Sequence, residues 1–141
     1  MSTSLEKVIV ETFVPLPVAR VWELFTGAEH IVHWNFASPD WHAPAAENDL
    51  RNGGTFVFRM AARDGSFSFD FTGTYSDVLP GQSYTYRIPD GRIVTVSFTT
   101  ENNGTRVREV FDPETLHSPE QQRQGWQAIL DNFCAYATRV G

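Results

Sequence analysis

Between Phe67 and Leu79 the side chains alternate strictly enough to fix both a conformation and an orientation. Phe67, Phe69, Phe71, Gly73 and Tyr75 fall on one side of an extended chain, and Ser68, Asp70, Thr72 and Thr74 on the other. A period of two with one apolar face is the pattern of a half-buried strand in an antiparallel sheet. The phenylalanine face needs a second layer to cover it. Gly73, set among the rings, marks a bend or a place where another group comes close to the backbone.

Turn signals divide the rest of the middle of the chain into strands. They are Asn52-Gly53-Gly54, Arg63-Asp64-Gly65-Ser66, Pro80-Gly81, Pro89-Asp90-Gly91 and Asn102-Asn103-Gly104. Between them lie a short strand near 46–50, a strand at 54–62 with Phe56, Phe58 and Met60 on one face, a strand opening with Tyr84 and Tyr86, and strands at 92–100 and 105–112. An earlier strand is expected at 5–14. Pro15 and Pro17 end it, with Pro17 as the first residue of a helix carrying Val18, Val21, Trp22 and Phe25. Thr26-Gly27-Ala28-Glu29 fits a capping box and predicts a second short helix at about 27–33. Residues 34–46, with two tryptophans and two prolines, read as a structured loop.

The covering layer is at the C-terminal end. Ser118-Pro119-Glu120-Gln121 is a capping box with proline at the first helical position. Trp126, Ile129, Leu130, Phe133 and Tyr136 or Ala137 then form one apolar stripe on a helix of roughly five or six turns. That stripe has to be buried, and the aromatic face of the sheet is the surface large enough to bury it. The expected fold is α+β: a curved antiparallel sheet of about six or seven strands around a long C-terminal helix, with two short helices after strand one. Residues 1–141 make one domain on this reading.

The order of elements resembles the helix-grip fold of the START/Bet v-like (SRPBCC) superfamily. Within it, the chain is similar to the bacterial relatives of the 90-kDa heat-shock chaperone ATPase activator. The likeness rests on the opening strand with Pro15-Leu16-Pro17 and Val21-Trp22, on Glu29-His30 through Trp34, on 48–60, on 69–75, on Gly104-Thr105 and on Gly125-Trp126 through Phe133. The resemblance implies a cavity between sheet and long helix, which in that superfamily mostly holds apolar or amphipathic small molecules. Some members are cyclases, dehydratases or hydrolases acting on such ligands. The chaperone activators bind a protein partner.

Several residues are candidates for lining such a cavity. Trp34, Phe36 and Trp41 lie after the short helices, where they either form a flexible lid or pack as plain core. Phe58, Met60, Phe69, Phe71, Tyr75, Tyr86 and Phe98 would be sheet walls, with Trp126, Ile129 and Phe133 as the helical wall. Glu109 lies between Val107 and Phe111 and shares their face; if that face is inward, a carboxylate enters the cavity. The bland reading of Glu109 is a salt bridge or a solvent-facing strand edge. Arg106 and Arg108 face the other way. His30, His33 and His42 could meet near the mouth, but their spacing is loose and no cysteine supports a metal site. Cys134 stands alone in the helix, and no nucleophile elbow or phosphate loop is present.

The residues and the resemblance together leave three rival functions. The first is non-enzymatic binding of a small apolar or aromatic molecule in a continuous cavity within the roughly 300–1,000 Å³ usual for ligand sites. The second is a cyclase- or hydrolase-type enzyme on an aromatic or polyketide-like substrate, with Glu109 and a Tyr or His moving protons. The third is a chaperone cofactor, which predicts a filled core and an exposed apolar patch. No cofactor or metal is expected. The net charge of −6 disfavours nucleic acid, and no apolar run reaches the roughly 20 residues that cross a bilayer. One cysteine and no secretory signal suggest a cytoplasmic setting.

Overall fold

The computed structural model describes residues 6–141, so Leu5, at the start of the expected first strand, lies outside the described residues. Strand β1 (Val8–Val14) leads into helix α1 (Val18–Thr26) and the single turn α2 (Ala28–Ile31). Strands β2 (Trp41–Asn48), β3 (Thr55–Ala62), β4 (Ser68–Leu79), β5 (Ser83–Arg87), β6 (Ile93–Glu101) and β7 (Gly104–Phe111) follow as a meander. Helix α3 (Pro119–Val140) comes last. β1 pairs with β7, giving one antiparallel sheet in the order β1-β7-β6-β5-β4-β3-β2. The sheet curls into a half-barrel that grips α3, as the sequence pattern requires.

The strongest local signals form as expected. Ser118 accepts a hydrogen bond from the Gln121 backbone N–H while the Gln121 side chain accepts from that of Ser118, so both ends of the box are closed. Asn102 and Asn103 both take positive φ, 47° and 65°, and make the two-residue hairpin loop between β6 and β7. Gly73 is the site of a close approach: a Cβ there would lie 2.5 Å from the Phe56 ring.

Elsewhere local chemistry redirects the chain. The expected Thr26–Glu29 box does not form, because Thr26 is still inside α1 and its hydroxyl donates back to the Trp22 carbonyl at 2.7 Å. Gly27 caps α2 instead, and α2 is one turn long. Pro17 is likewise the cap of α1 rather than its first residue. The second half of the expected 34–46 loop is strand β2. Its register shifts between His42 and Ala45, where Pro44 sits, so the alternation is broken on this edge strand. A second bulge lies in β4 at Asp77 (φ 51°).

Helix α3 packs chiefly along β1 and α1, not across the β3–β4 hairpin. Its Gln127 amide donates to the Glu11 carbonyl at 3.0 Å and its Cys134 thiol donates to the Phe13 carbonyl at 3.3 Å, so the free edge of β1 is covered. Phe67 and Phe69, expected on the buried face, are therefore 59 % and 43 % exposed at the uncovered end of β4. The same offset leaves the inner faces of β3, β4 and β5 facing the helix across a gap.

Candidate ligand pocket

The register places inward-facing groups in rows across the sheet. Tyr84 pairs with Val96, Val96 with Glu109 and Glu109 with Val10. In the next row Tyr75 pairs with Tyr86, Tyr86 with Val94 and Val94 with Phe111. Two strand spacings separate Tyr84 and Glu109, about 10 Å between backbones. Both side chains point into the same space beneath α3.

That space is a pocket of about 220 Å³. Of the sheet residues expected as walls, Phe58, Met60, Phe69, Phe71, Tyr75 and Tyr86 line it, as does Glu109. Trp126 and Ile129 line it from α3, and Trp34 from the segment after α2. Phe69 stands at the rim. Sequence reasoning missed Phe25, Ile31, Asn35, Asn48, Phe56 and Tyr84, which also line it. Phe56 and Tyr84 carried a usable signal, since each lies two residues from an expected wall on the same strand face.

Four expected lining residues stand elsewhere. Phe133 is fully buried, with its ring 4.9 Å from Phe25 and 5.0 Å from Trp34, so it seals one end of the core. Phe98 is enclosed by Trp22 at 5.1 Å and Phe25 at 5.5 Å. Phe36 lies outside, with the Arg63 guanidinium 5.9 Å over its ring. Trp41 packs on the outer aromatics Phe67 and Phe69, 6.1 Å from each. The expected lid is thus absent: Trp34 is fixed, stacked on Phe25 at 4.8 Å with its indole N–H donating to the Leu24 carbonyl at 3.1 Å. The histidines do not converge on the pocket either. His30 and His33 both meet Tyr136, through a 2.7 Å hydrogen bond and a stacked ring respectively, and His42 sits apart on β2. Among the described residues no cluster of His, Cys, Asp and Glu is arranged to hold a metal.

Glu109 is the unusual group. It is 8 % exposed, and no other described residue donates a hydrogen bond to its carboxyl. Its oxygens border the open space rather than packed protein. Burial alone pushes its pKa up to about 8, so at neutral pH the carboxyl is mostly protonated. The salt-bridge reading fails because Arg106 and Arg108 face outward, where they pair with Glu11 and Glu101. Burial raises the Tyr84 and Tyr86 hydroxyls well above their ordinary range, and the neighbouring tyrosines and Glu109 raise them further. Tyr75 is also raised by burial, although its hydroxyl donates to Asn48 Oδ1 at 2.5 Å; the Asn48 amide in turn donates to the Thr26 carbonyl at 2.7 Å. The pocket thus has aromatic walls, one anchored Tyr–Asn pair, an Asn35 amide whose Nδ2 reaches Met60 Sδ at 3.7 Å, and three polar groups, on Glu109, Tyr84 and Tyr86, open to a guest.

The family model of the Activator of Hsp90 ATPase homolog 1-like proteins matches residues 15–138, nearly the whole of the described fold. The chain belongs to this family. An AHSA1-like protein from Aeromonas hydrophila, solved in solution, is 44 % identical, with 96 % of this chain and 94 % of that one covered and a TM-score of 0.90. A protein from Cytophaga hutchinsonii is 46 % identical, with 95 % and 93 % covered and a TM-score of 0.82. A Nitrosomonas europaea protein at 19 % identity and a TM-score of 0.81 shares the fold. No curated protein matches the chain. Membership accounts for the sheet and its grip on α3.

Proposed function

We propose that this protein binds one compact apolar or aromatic molecule in the pocket between the sheet and α3. The observation that carries the reading is the unfilled space of about 220 Å³ beneath an aromatic ceiling, with Glu109 unpaired on its wall. The volume lies below the roughly 300–1,000 Å³ of common ligand sites. An apolar cavity of about 150 Å³ already admits benzene, so one or two rings fit here. The polar groups of Glu109, Tyr84 and Tyr86 would orient the guest. The unfilled pocket favours this reading over a purely surface-acting chaperone cofactor, although the family makes a chaperone a partner worth testing by pull-down. The lone Cys134 suits a cytoplasmic setting.

The test is a ligand-detected NMR screen with one- and two-ring aromatic probes, repeated on Ile129→Trp, which fills the pocket from α3. Saturable binding to the native chain that disappears in the variant supports the reading. Absence of any saturable binding, or binding indifferent to Ile129→Trp in a folded variant, refutes it.

A second reading has its own support. A carboxyl that titrates near 8, together with the hydroxyls of Tyr84 and Tyr86 in one pocket, is suited to general acid–base chemistry on an aromatic substrate. Turnover lost in Glu109→Gln with folding intact would favour it.

A further inference from the structure

Resting on the pocket as a ligand site, we infer that its guest is a small amine with an apolar or aromatic body, held as an ammonium ion against Glu109. Three features of the lining converge on that chemistry. First, the pocket holds an acid with no internal cation. Among the described residues its lining contains no lysine, arginine or histidine, and the neighbouring Arg106 and Arg108 turn outward to Glu11 and Glu101. An anionic guest would meet no positive side chain and would hold Glu109 in its neutral form, whereas a cation pairs with the carboxylate and draws it into the ionised state.

Second, the open polar groups can all accept once Glu109 is ionised. The two oxygens of the ionised Glu109 and the hydroxyls of Tyr84 and Tyr86, which make no hydrogen bond to other described residues, face a donor-only group well. Third, the surrounding faces are electron-rich. Tyr84 and Tyr86 stack with 28° between their planes, Phe56 lies edge-on to Tyr86 at 5.0 Å, and Trp126 closes the helical side. Aromatic faces attract ammonium groups, most of all where water is excluded. The raised pKa of Glu109 agrees, since its cause is burial without a partner. Binding of the cation would restore the ionised form and release a proton to solvent.

The titratable groups around Glu109 are few. Tyr84 and Tyr86 on β5 and Tyr75 on β4 face it across the pocket. Arg92 acts only weakly, on Tyr86. The remaining contributors from α1, the α2 region and α3, namely Phe25, Ile31, Trp34, Asn35, Trp126 and Ile129, do not titrate in this range.

The experiment is a tryptophan-fluorescence titration, in which two of the four tryptophans, Trp34 and Trp126, line the pocket, with 2-phenylethylamine, its neutral isostere 2-phenylethanol and the anion 3-phenylpropanoate. At about pH 8.5 the amine should bind at least about tenfold tighter than the alcohol, and the anion should not saturate. Amine affinity should rise about tenfold from pH 6 to pH 7 and level off above about pH 8, while the alcohol stays flat. In Glu109→Gln the amine preference should collapse and alcohol binding should persist. If the alcohol binds and the amine is no tighter, or if Glu109→Gln keeps the preference, the inference is overturned and the pocket reading stands. If none of the three binds the native chain, both are overturned.

Discussion

Glu109 ties the stability of the fold to pH with a sign opposite to that of the surface carboxylates. In the unfolded chain its carboxyl titrates near 4.5; in the folded chain burial raises it to about 8. Between those values the folded state holds a proton that the unfolded state has lost, so stability falls as pH rises. The contribution is fully present below about 4.5 and gone once pH has passed about 8. Each pH unit in the window costs about 1.4 kcal/mol, or about 4 kcal/mol from pH 5 to pH 8, a large part of the roughly 5–15 kcal/mol of a typical domain. The ion-paired or hydrogen-bonded Asp64, Asp90, Glu101, Asp112 and Glu114 are held below their ordinary values, so their contributions are lost as pH falls through the acid range, outside this window. Urea denaturation of the native chain and of Glu109→Gln at half-unit pH steps isolates the effect, because the difference curve cancels every other group. The difference should fall steadily over the window in favour of the variant. Parallel curves for the two proteins between about pH 5 and pH 8 would refute the placement of an unpaired acid in the pocket wall.

Two further substitutions test the frame that holds the pocket. Gly73→Ala puts a methyl group 2.5 Å from the Phe56 ring and 3.1 Å from the Arg87 carbonyl; overpacking of this kind should cost about 1–3 kcal/mol in chemical denaturation and displace a pocket wall. Ser118→Ala removes the hydroxyl that accepts from the Gln121 N–H at 3.1 Å and should cost about 1 kcal/mol, with helix content lost first at the start of α3 by hydrogen exchange.

The parts of this fold legible in the sequence are those where one local signal decides. The Ser118 box, the Asn102-Asn103 hairpin and the stripe from Trp126 to Ala137 each name their structure without reference to distant residues. Only the end of β2 was legible, as the short strand expected near 46–50; its first half was hidden because Pro44 and a register shift break the alternation. Thr26 misled because one hydroxyl can serve either the next helix as a cap or its own helix as a back-bond, and the sequence fits both. The pocket was legible in direction and not in extent. Alternation tells that Phe69 and Phe98 point to the same side of the sheet as Phe58. It does not tell that α3 lies along β1 and α1 and not across the β3–β4 hairpin, leaving Phe69 at the rim, or that Trp22 and Phe25 fill the space in front of Phe98. Those facts depend on where a helix from the far end of the chain comes to rest.

Glu109 itself shows why the unfilled space is more than loose packing. Its row neighbours Val10 and Val96 are fully buried aliphatics, and Val107 and Phe111 on its own strand are buried too. A leucine at 109 would suit that setting better at every pH above the unfolded carboxyl's titration. A carboxyl there weakens the fold, the more so as pH rises, and leaves polar oxygens facing a void. Sites at which a local choice works against the fold are where function is expected to have set the residue. The stability lost between acid and neutral pH and the affinity gained for a cationic guest should therefore be two readings of one unpaired acid, and both should vanish together in Glu109→Gln.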